Sequence, residues 1–205
     1  MIDYMDWHKQ NIKVYDNSAS ELAERFNGIG SRIEDIERAL KLANQNTGAK
    51  VVEIGCGDGR DAVEIIKRAT TYQGFDPSAG LLDIARYRVP EASFVLSDTY
   101  TYEYPDNLDV IYAFASLLHV NRNDLRVVFN KAHKSLRHDG IFYISLKERD
   151  SYGEETKTDI YGVRMFYYYN PEIIKQMANK KFTVVYEEHY LKGKTNWFTI
   201  ALKKI

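Results

Sequence analysis

Hydrophobic positions recur with two different periods along this chain, and the period changes near residue 48. Before that point, apolar residues such as Ile33, Ile36, Leu40 and Ala43 fall at helical spacing and no strand-like run occurs. Ser18 with Glu21 and Ser31 with Glu34 have capping-box spacing, each serine placed to accept a free N–H and each glutamate to reach back, which predicts two helix starts. The second helix is expected to stop before Asn46-Thr47-Gly48 and to bury one face against the next part of the chain. Beyond residue 48, short apolar runs alternate with amphipathic stretches. Val51 to Ile54 leads to a helix from Arg60, and Tyr72 to Phe75 to a helix from Ser78. Phe94 to Leu96 and Val110 to Phe114 come next, then a helix through Leu125, Val128, Phe129, Ala132 and Leu136, and finally Ile141 to Leu146. That alternation predicts an α/β fold, a mostly parallel sheet with helices on both faces.

The last quarter changes again. Asn170-Pro171 offers a cap and a first-turn proline, and Ile173, Ile174 and Met177 give that helix an apolar face. The runs Phe182 to Tyr190 and Trp197 to Leu202, parted at Lys192 to Thr195, predict an antiparallel hairpin. Before them, Lys147 to Tyr169 is polar and tyrosine-rich, too long for a tight connection, and reads as a loop or small flap over a site. The expected organisation is a single domain with a helical cover over 1–48, a cofactor-binding core over 49–147, a substrate-side flap over 148–169, and a helix and hairpin over 170–205. The segment up to about Asn27 and the flap are expected to form two sides of a lid that orders on ligand binding.

Composition narrows the partners. The 205 residues, 44% of them hydrophobic, suffice for a sizeable core, and 29 acidic against 28 basic residues leave no global field to hold a polyanion. Neither nucleic acid nor a membrane surface is therefore an expected partner; a small-molecule acceptor and a monomeric or homodimeric protein are. The basic string Lys131, His133, Lys134, Arg137 and His138 reads as a solvated helix face. The lone Cys56 has no disulfide partner, the first ten residues carry charges where a signal peptide needs an apolar core, and no apolar run approaches the roughly 20 residues of a membrane span. A cytoplasmic protein is expected. No clustered cysteines or histidines suggest a metal site.

The strongest chemical signal is Glu53-Ile54-Gly55-Cys56-Gly57-Asp58-Gly59, where an apolar strand runs into three alternating glycines and then a helix. Such a turn lets backbone approach a ligand closely and aims N–H groups at its negative end. A nicotinamide or flavin fingerprint needs a glycine three residues after Gly57; Arg60 stands there, which disfavours an oxidoreductase. Asp76, in Gly74-Phe75-Asp76-Pro77-Ser78, ends the next strand where a ribose diol would need a two-oxygen acceptor, with Ser78 suited to cap the following helix. Asp98 ends the third strand and suits an exocyclic purine amine.

These motifs, with Leu108-Asp109-Val110-Ile111 in the right order and spacing, resemble a class I S-adenosylmethionine-dependent methyltransferase from about Val51 to Leu146. Within that superfamily, Cys56 to Asp61 and Ala113 to Val120 resemble the small bacterial type 11/12 and tellurite-resistance-like groups, most of which are thought to act on small molecules. The resemblance implies a Rossmann-like seven-stranded sheet with an antiparallel C-terminal hairpin, S-adenosylmethionine as methyl donor and S-adenosylhomocysteine as product. It further implies that Glu53, Gly55 and Gly57 hold the methionine end, with Cys56 a small filler in their loop, and that Asp76 takes the ribose. Pro77 would lie against the adenine, Asp98 take its amine with the Thr99 backbone nearby, and Ala113, Phe114 and Ala115 line the cleft beside the sulfonium. Tyr15 resembles an N-terminal aromatic that closes over the cofactor; a packing tyrosine is its plainer reading. Arg60 either reaches the cofactor or pairs with an acid.

Methyl transfer from a sulfonium needs alignment and exclusion of water more than a nucleophilic triad. His119, directly after the fourth strand, is the candidate catalytic base if the acceptor must lose a proton; the alternative is a histidine that caps or packs. On the substrate side Lys147, Tyr167 and Tyr169 stand beside His119, the tyrosines either an aromatic wall or an edge strand of alternating exposure. A non-catalytic cofactor-binding or adaptor protein of the same fold is the remaining rival, distinguished by whether the cleft near His119 and Tyr167 admits an acceptor.

Overall fold

A computed structural model describes residues 4–45 and 48–205, with side chains from Trp7 onward. Helices α1 (Tyr4–Asn17), α2 (Ala19–Asn27) and α3 (Ile33–Leu42) lead into β1 (Ala49–Ile54), a single helical turn α4 (Ala62–Ile65), β2 (Ala69–Asp76), α5 (Ala79–Arg88), β3 (Ser93–Leu96) and β4 (Leu108–Phe114). After a 3-10 turn at Leu117–His119 come α6 (Arg122–Ser135), β5 (Leu136–Lys147), β6 (Gly153–Asp159), β7 (Gly162–Tyr168), α7 (Pro171–Ala178), β8 (Phe182–Lys192) and β9 (Thr195–Lys204). Seven strands form one sheet in the order β3-β2-β1-β4-β5-β9-β8; the first five run parallel and β9 is antiparallel to both its neighbours.

The alternation of side chains explains the layers. Val52 and Ile54 of β1, Ile111 and Ala113 of β4, and Phe142 and Ile144 of β5 pack against Leu125, Val128 and Phe129 of α6 and Ile174 of α7. The intervening Val51, Val110, Tyr112, Ile141 and Tyr143 face the other way, onto Ile36, Ala39 and Leu40 of α3 and onto Ala62 and Ile65. All seven residues of β4 are buried, as expected of a central strand covered on both faces.

Several local expectations are corrected. Neither serine makes the capping bond its spacing suggests: Ser18 precedes α2 without a side-chain bond, and the Ser31 hydroxyl donates to the Arg60 carbonyl at 2.6 Å. The start of α3 is capped from outside, by Asp61 Oδ1 accepting from the Arg32 N–H at 2.8 Å, so a tertiary partner displaces the local one. Ile33 is 43% exposed although Ile36, Leu40 and Ala43 are buried as predicted. Asn46 and Thr47 of the expected helix stop lie outside the described residues. The helix expected from Arg60 is one turn, because β2 already begins at Ala69, and Leu136 opens β5 opposite Leu108 rather than closing α6. The string from Lys131 is not simply a solvated face: Lys131 Nζ donates to the Thr99, Tyr100 and Tyr102 carbonyls, and Arg137 pairs with Asp109 while donating to the Ala43 carbonyl. The flap is a β-hairpin, β6 antiparallel to β7. Asn170 caps α7 by accepting from the Ile173 N–H, as predicted.

The N-terminal helix is held at its last turn by helix electrostatics. Asp16 Oδ1 accepts from the Ser78 hydroxyl at 2.7 Å and from the Gly80 N–H at 3.1 Å, which places a carboxylate at the N-terminus of α5. Ser78 in turn accepts from the Leu81 N–H. Asp16→Ala is expected to lower the unfolding free energy by about 1 kcal/mol, as loss of a helix cap does, and to speed hydrogen exchange in α1 more than in β4. Equal exchange in α1 of both proteins would show that its hold lies elsewhere.

Candidate functional site

β1 has β2 on one side and β4 on the other, so the chain leaves the sheet in opposite directions at the carboxyl ends of β1 and β4, which is where open α/β sheets form a crevice. A cavity of about 550 Å³ lies there, within the usual range of small-ligand sites. Its floor is the loop after β1. Gly55 has φ +67°, and a Cβ there would stand 2.3 Å from the Ser116 Cβ, so only glycine lets the ends of β1 and β4 meet. Gly57 has φ +55° and nothing within 4 Å of where its Cβ would be, leaving bare backbone toward the space. Ala115, at the end of β4, also holds a positive φ of 57°, a strained conformation of the kind that gathers at ligand sites.

The carboxylates at this edge have different surroundings. Asp76 accepts from the Gly57 and Ser78 N–H groups, each at 2.9 Å, and burial raises its pKa to about 6. Two N–H donors leave part of its acceptor capacity for a ligand. Glu53 accepts from the Tyr72 hydroxyl at 2.6 Å, and burial, added to by nearby Asp61, holds it well above the ordinary carboxylate range. Burial would raise Asp61 too, but Arg60 and Arg32 outweigh it and hold this acid below its usual value. Arg60 thus pairs with an acid and also lines the cavity; its Nε and the Ser116 Oγ are buried there without a hydrogen-bond partner. Bare glycine backbone, a carboxylate with spare acceptor capacity and two orphaned donors fit a polar cofactor.

The roof comes from α1 and the β6–β7 hairpin, which touch each other. Asn11 of α1 accepts from the Met165 N–H at 2.9 Å through Oδ1 and donates to the Met165 carbonyl at 3.1 Å through Nδ2. His119 lies 2.7 Å from the same carbonyl through Nδ1 and 2.9 Å from the Tyr15 hydroxyl through Nε2. The carbonyl fixes the tautomer: Nδ1 carries the proton and donates, and Nε2 accepts from Tyr15. Burial lowers the His119 pKa to about 3, so the ring is neutral. Both ring nitrogens are occupied by hydrogen bonds that tie α1 to β7.

Of the residues predicted from sequence, Tyr15, Glu53, Gly55, Cys56, Gly57, Arg60, Asp76, Pro77, Asp98, Thr99, Phe114, Ala115, His119 and Lys147 all line this one cavity. Ala113 does not; it is fully buried in the core on the α6 side. Tyr167 and Tyr169 do not either. Tyr167, Tyr168 and Tyr169 are all buried, without the alternating exposure of an edge strand, because the hairpin folds back onto the core, and the Tyr169 hydroxyl donates to the Val120 carbonyl. Their neighbours Arg164 and Phe166 face the cavity instead. Asp98 is more committed than expected: Oδ1 accepts from the Tyr100 and Thr101 N–H groups and the Thr101 hydroxyl, and Oδ2 stands 3.1 Å from His8 Nε2. Sequence reasoning missed His8, Asn11, Ser116 and Arg164, whose placement depends on α1 packing against β7 and on β4 ending in a turn.

Comparisons with known proteins agree with this geometry. Residues 51–140 match the family model described as a methyltransferase domain. The phosphoethanolamine N-methyltransferase of Plasmodium falciparum is 26% identical over 189 residues, covering 88% of this chain and 63% of that protein. The trans-aconitate 2-methyltransferase of Variovorax paradoxus is 42% identical over 72 residues, covering 34% of this chain and 28% of its own length. The chain therefore spans less than two thirds of either relative. Among solved structures, the 1,6-didemethyltoxoflavin-N1-methyltransferase of Burkholderia thailandensis, with 1,6-didemethyltoxoflavin and S-adenosylhomocysteine bound, superposes with a TM-score of 0.73 at 16% identity, covering 100% of this chain and 91% of that one.

The floor gives a direct test. Gly55→Ala is expected to cost about 2 kcal/mol of stability, from positive-φ strain and the clash with Ser116, measured by denaturant unfolding. A change below about 0.5 kcal/mol, the usual size for a surface substitution, would mean that β1 and β4 approach each other less tightly at this point.

Proposed function

We propose that the chain is a class I S-adenosylmethionine-dependent methyltransferase that passes a methyl group to a small-molecule acceptor held between the glycine loop and the β6–β7 hairpin. The observation that carries this reading is that one cavity unites the ends of β1, β2 and β4 with a second, partly aromatic end formed by Phe166 and Trp197. The names of the two relatives, and the 1,6-didemethyltoxoflavin bound in the solved structure, support a small acceptor.

When bound, S-adenosylmethionine supplies a methyl group already activated on sulfur. The residues of this chain would hold it: Gly55, Gly57 and Glu53 at the methionine end, Asp76 at the ribose diol, and Pro77 and Thr99 at the base. Asp98 would contribute through the turn it caps, with His8 beside it in the cavity wall. The lid contributes exclusion of water, since Asn11, Tyr15 and His119 fasten α1 to β7 above the site. His119 is a positioning residue here: its neutral ring accepts a hydrogen bond from the Tyr15 hydroxyl and donates one to the Met165 carbonyl, and no ring nitrogen is free to act as base. Catalysis rests on alignment.

The Asp76 assignment has a pH signature. Binding of a diol favours the ionised carboxylate, so affinity is full above the free-protein pKa of about 6 and is lost as pH falls through it. Calorimetry with S-adenosylhomocysteine is expected to show roughly tenfold weaker binding at pH 5 than at pH 7, with weak and pH-independent binding to Asp76→Asn. An identical pH slope in the variant would move the ribose contact to another group.

His119→Ala is expected to lower the melting temperature and weaken S-adenosylhomocysteine binding by loosening Tyr15, while labelled-methyl turnover at saturating cofactor falls by less than about tenfold. A loss of about a hundredfold or more, at unchanged stability and cofactor affinity, is the mark of a general base and would overturn the positioning role.

A further inference from the structure

We infer that the acceptor carries an anionic group, a carboxylate or a phosphate, seated against Lys147, Arg164 and Lys157 at the hairpin end of the cavity. The inference rests on the methyltransferase reading for the identity of the ligand as acceptor. It rests on geometry for the charge.

Lys147 ends β5, and its ammonium lies 4.0 Å from the centre of the Phe166 ring and 5.9 Å from that of Trp197. Among the described residues no carboxylate comes within 4.0 Å of it, although it lines the cavity and is largely withdrawn from water. Arg164, on β7, is 6% exposed; one face pairs with Asp159, while its Nε is buried without a hydrogen-bond partner. Lys157 of β6 sits directly opposite Arg164 in the hairpin register. Like charges facing each other across an antiparallel pair are destabilising. Asp159 answers Arg164, and Glu155 answers Lys157 only at 3.9 Å while also pairing with Arg149. The wall thus keeps an excess of positive charge with an unused donor. Its aromatic faces limit solvation but supply no hydrogen-bond acceptor, which an anion would supply.

The proton affinity of Lys147 agrees. Burial first, then the neighbouring charges of Lys157, Arg164 and Arg25, lower its pKa to about 8, with Glu155 acting the other way. A half-buried cation whose nearest charged neighbours are mostly cations favours an added anion. Of the other acids that line the cavity, Asp61 is held by Arg60 and Arg32 and Asp58 by Arg88, Asp98 stands at His8, and Glu53 and Asp76 accept from Tyr72 and from the Gly57 and Ser78 N–H groups; none pairs with Lys147.

The test uses the full chain saturated with S-adenosylhomocysteine, titrated calorimetrically with benzoate, phenyl phosphate and the neutral benzamide. At least one anion is expected to bind at least tenfold more tightly than benzamide, and benzoate against phenyl phosphate distinguishes carboxylate from phosphate. Lys147→Met is expected to weaken that anion at least tenfold, with Lys157→Gln acting in the same direction as a second variant on the exposed strand. Neither should change affinity for S-adenosylhomocysteine. Wild-type anion affinity is expected to decline as pH rises through 8, because the cationic form of Lys147 is the binding form. Failure of both anions to bind at millimolar concentration, benzamide binding as tightly as either, or anion affinity indifferent to Lys147→Met would overturn the inference. Failure of S-adenosylhomocysteine itself to bind would instead overturn the methyltransferase reading, and the anion titrations, repeated on the unliganded chain, would still decide the charge.

Discussion

Asp61 is a carboxylate only 3% exposed, and the arrangement above the sheet depends on how its charge is answered. Arg60 and Arg32 reach one oxygen and the Arg32 N–H reaches the other, so the loop after β1, the start of α3 and both guanidinium groups are fixed by one anion. Withdrawing such a group from water costs several kcal/mol unless its donors are in place, so the loop and the helix are held together as a unit. The same charge lies near Glu53 and adds to the burial that keeps that side chain from ionising readily. An ion cluster in the cavity wall therefore sets the electrostatics of its glycine-loop end.

Much of the core was legible because it obeys simple periods. The short apolar runs Val51 to Ile54 and Val110 to Phe114 mark strands covered on both faces, the 3.6-residue repeat of Leu125, Val128, Phe129 and Ala132 marks one buried helix face, and both hold in the structure. The glycine loop was legible for a different reason: only glycine tolerates the backbone it needs. Local capping signals misled. Ser31 had the right neighbours for a capping box, but Asp61, distant in sequence, offered a charged acceptor, and a charged hydrogen bond outcompetes a neutral one.

The hairpin end of the cavity was the least legible. Tyr167 and Tyr169 looked like a wall because aromatic residues clustered in a polar stretch, whereas the side-chain alternation of β7 sends Arg164 and Phe166 to the cavity and folding of the hairpin onto the core hides the tyrosines. Which face of a hairpin meets a site is set by its register, and nothing local in the sequence fixes where that register falls relative to the sheet. His119 presents the same difficulty at a single residue. Its position after the fourth strand was readable; that both its nitrogens would be taken by Tyr15 and Met165 was not.

The central strand β1 pairs with β2, its near neighbour in sequence, and with β4, which arrives only after two intervening strands. That second pairing closes a long loop and carries the larger entropic cost in reaching the native topology. The crevice lies across that seam, with the glycine loop on one bank and Ser116 on the other, so neither half alone possesses it. A ligand spanning both banks then acts as a reversible clasp between segments that chain connectivity joins only loosely. Its binding energy is added to the cooperative unfolding of the whole sheet rather than to one segment, and saturation of the site raises global stability in step with the logarithm of ligand concentration.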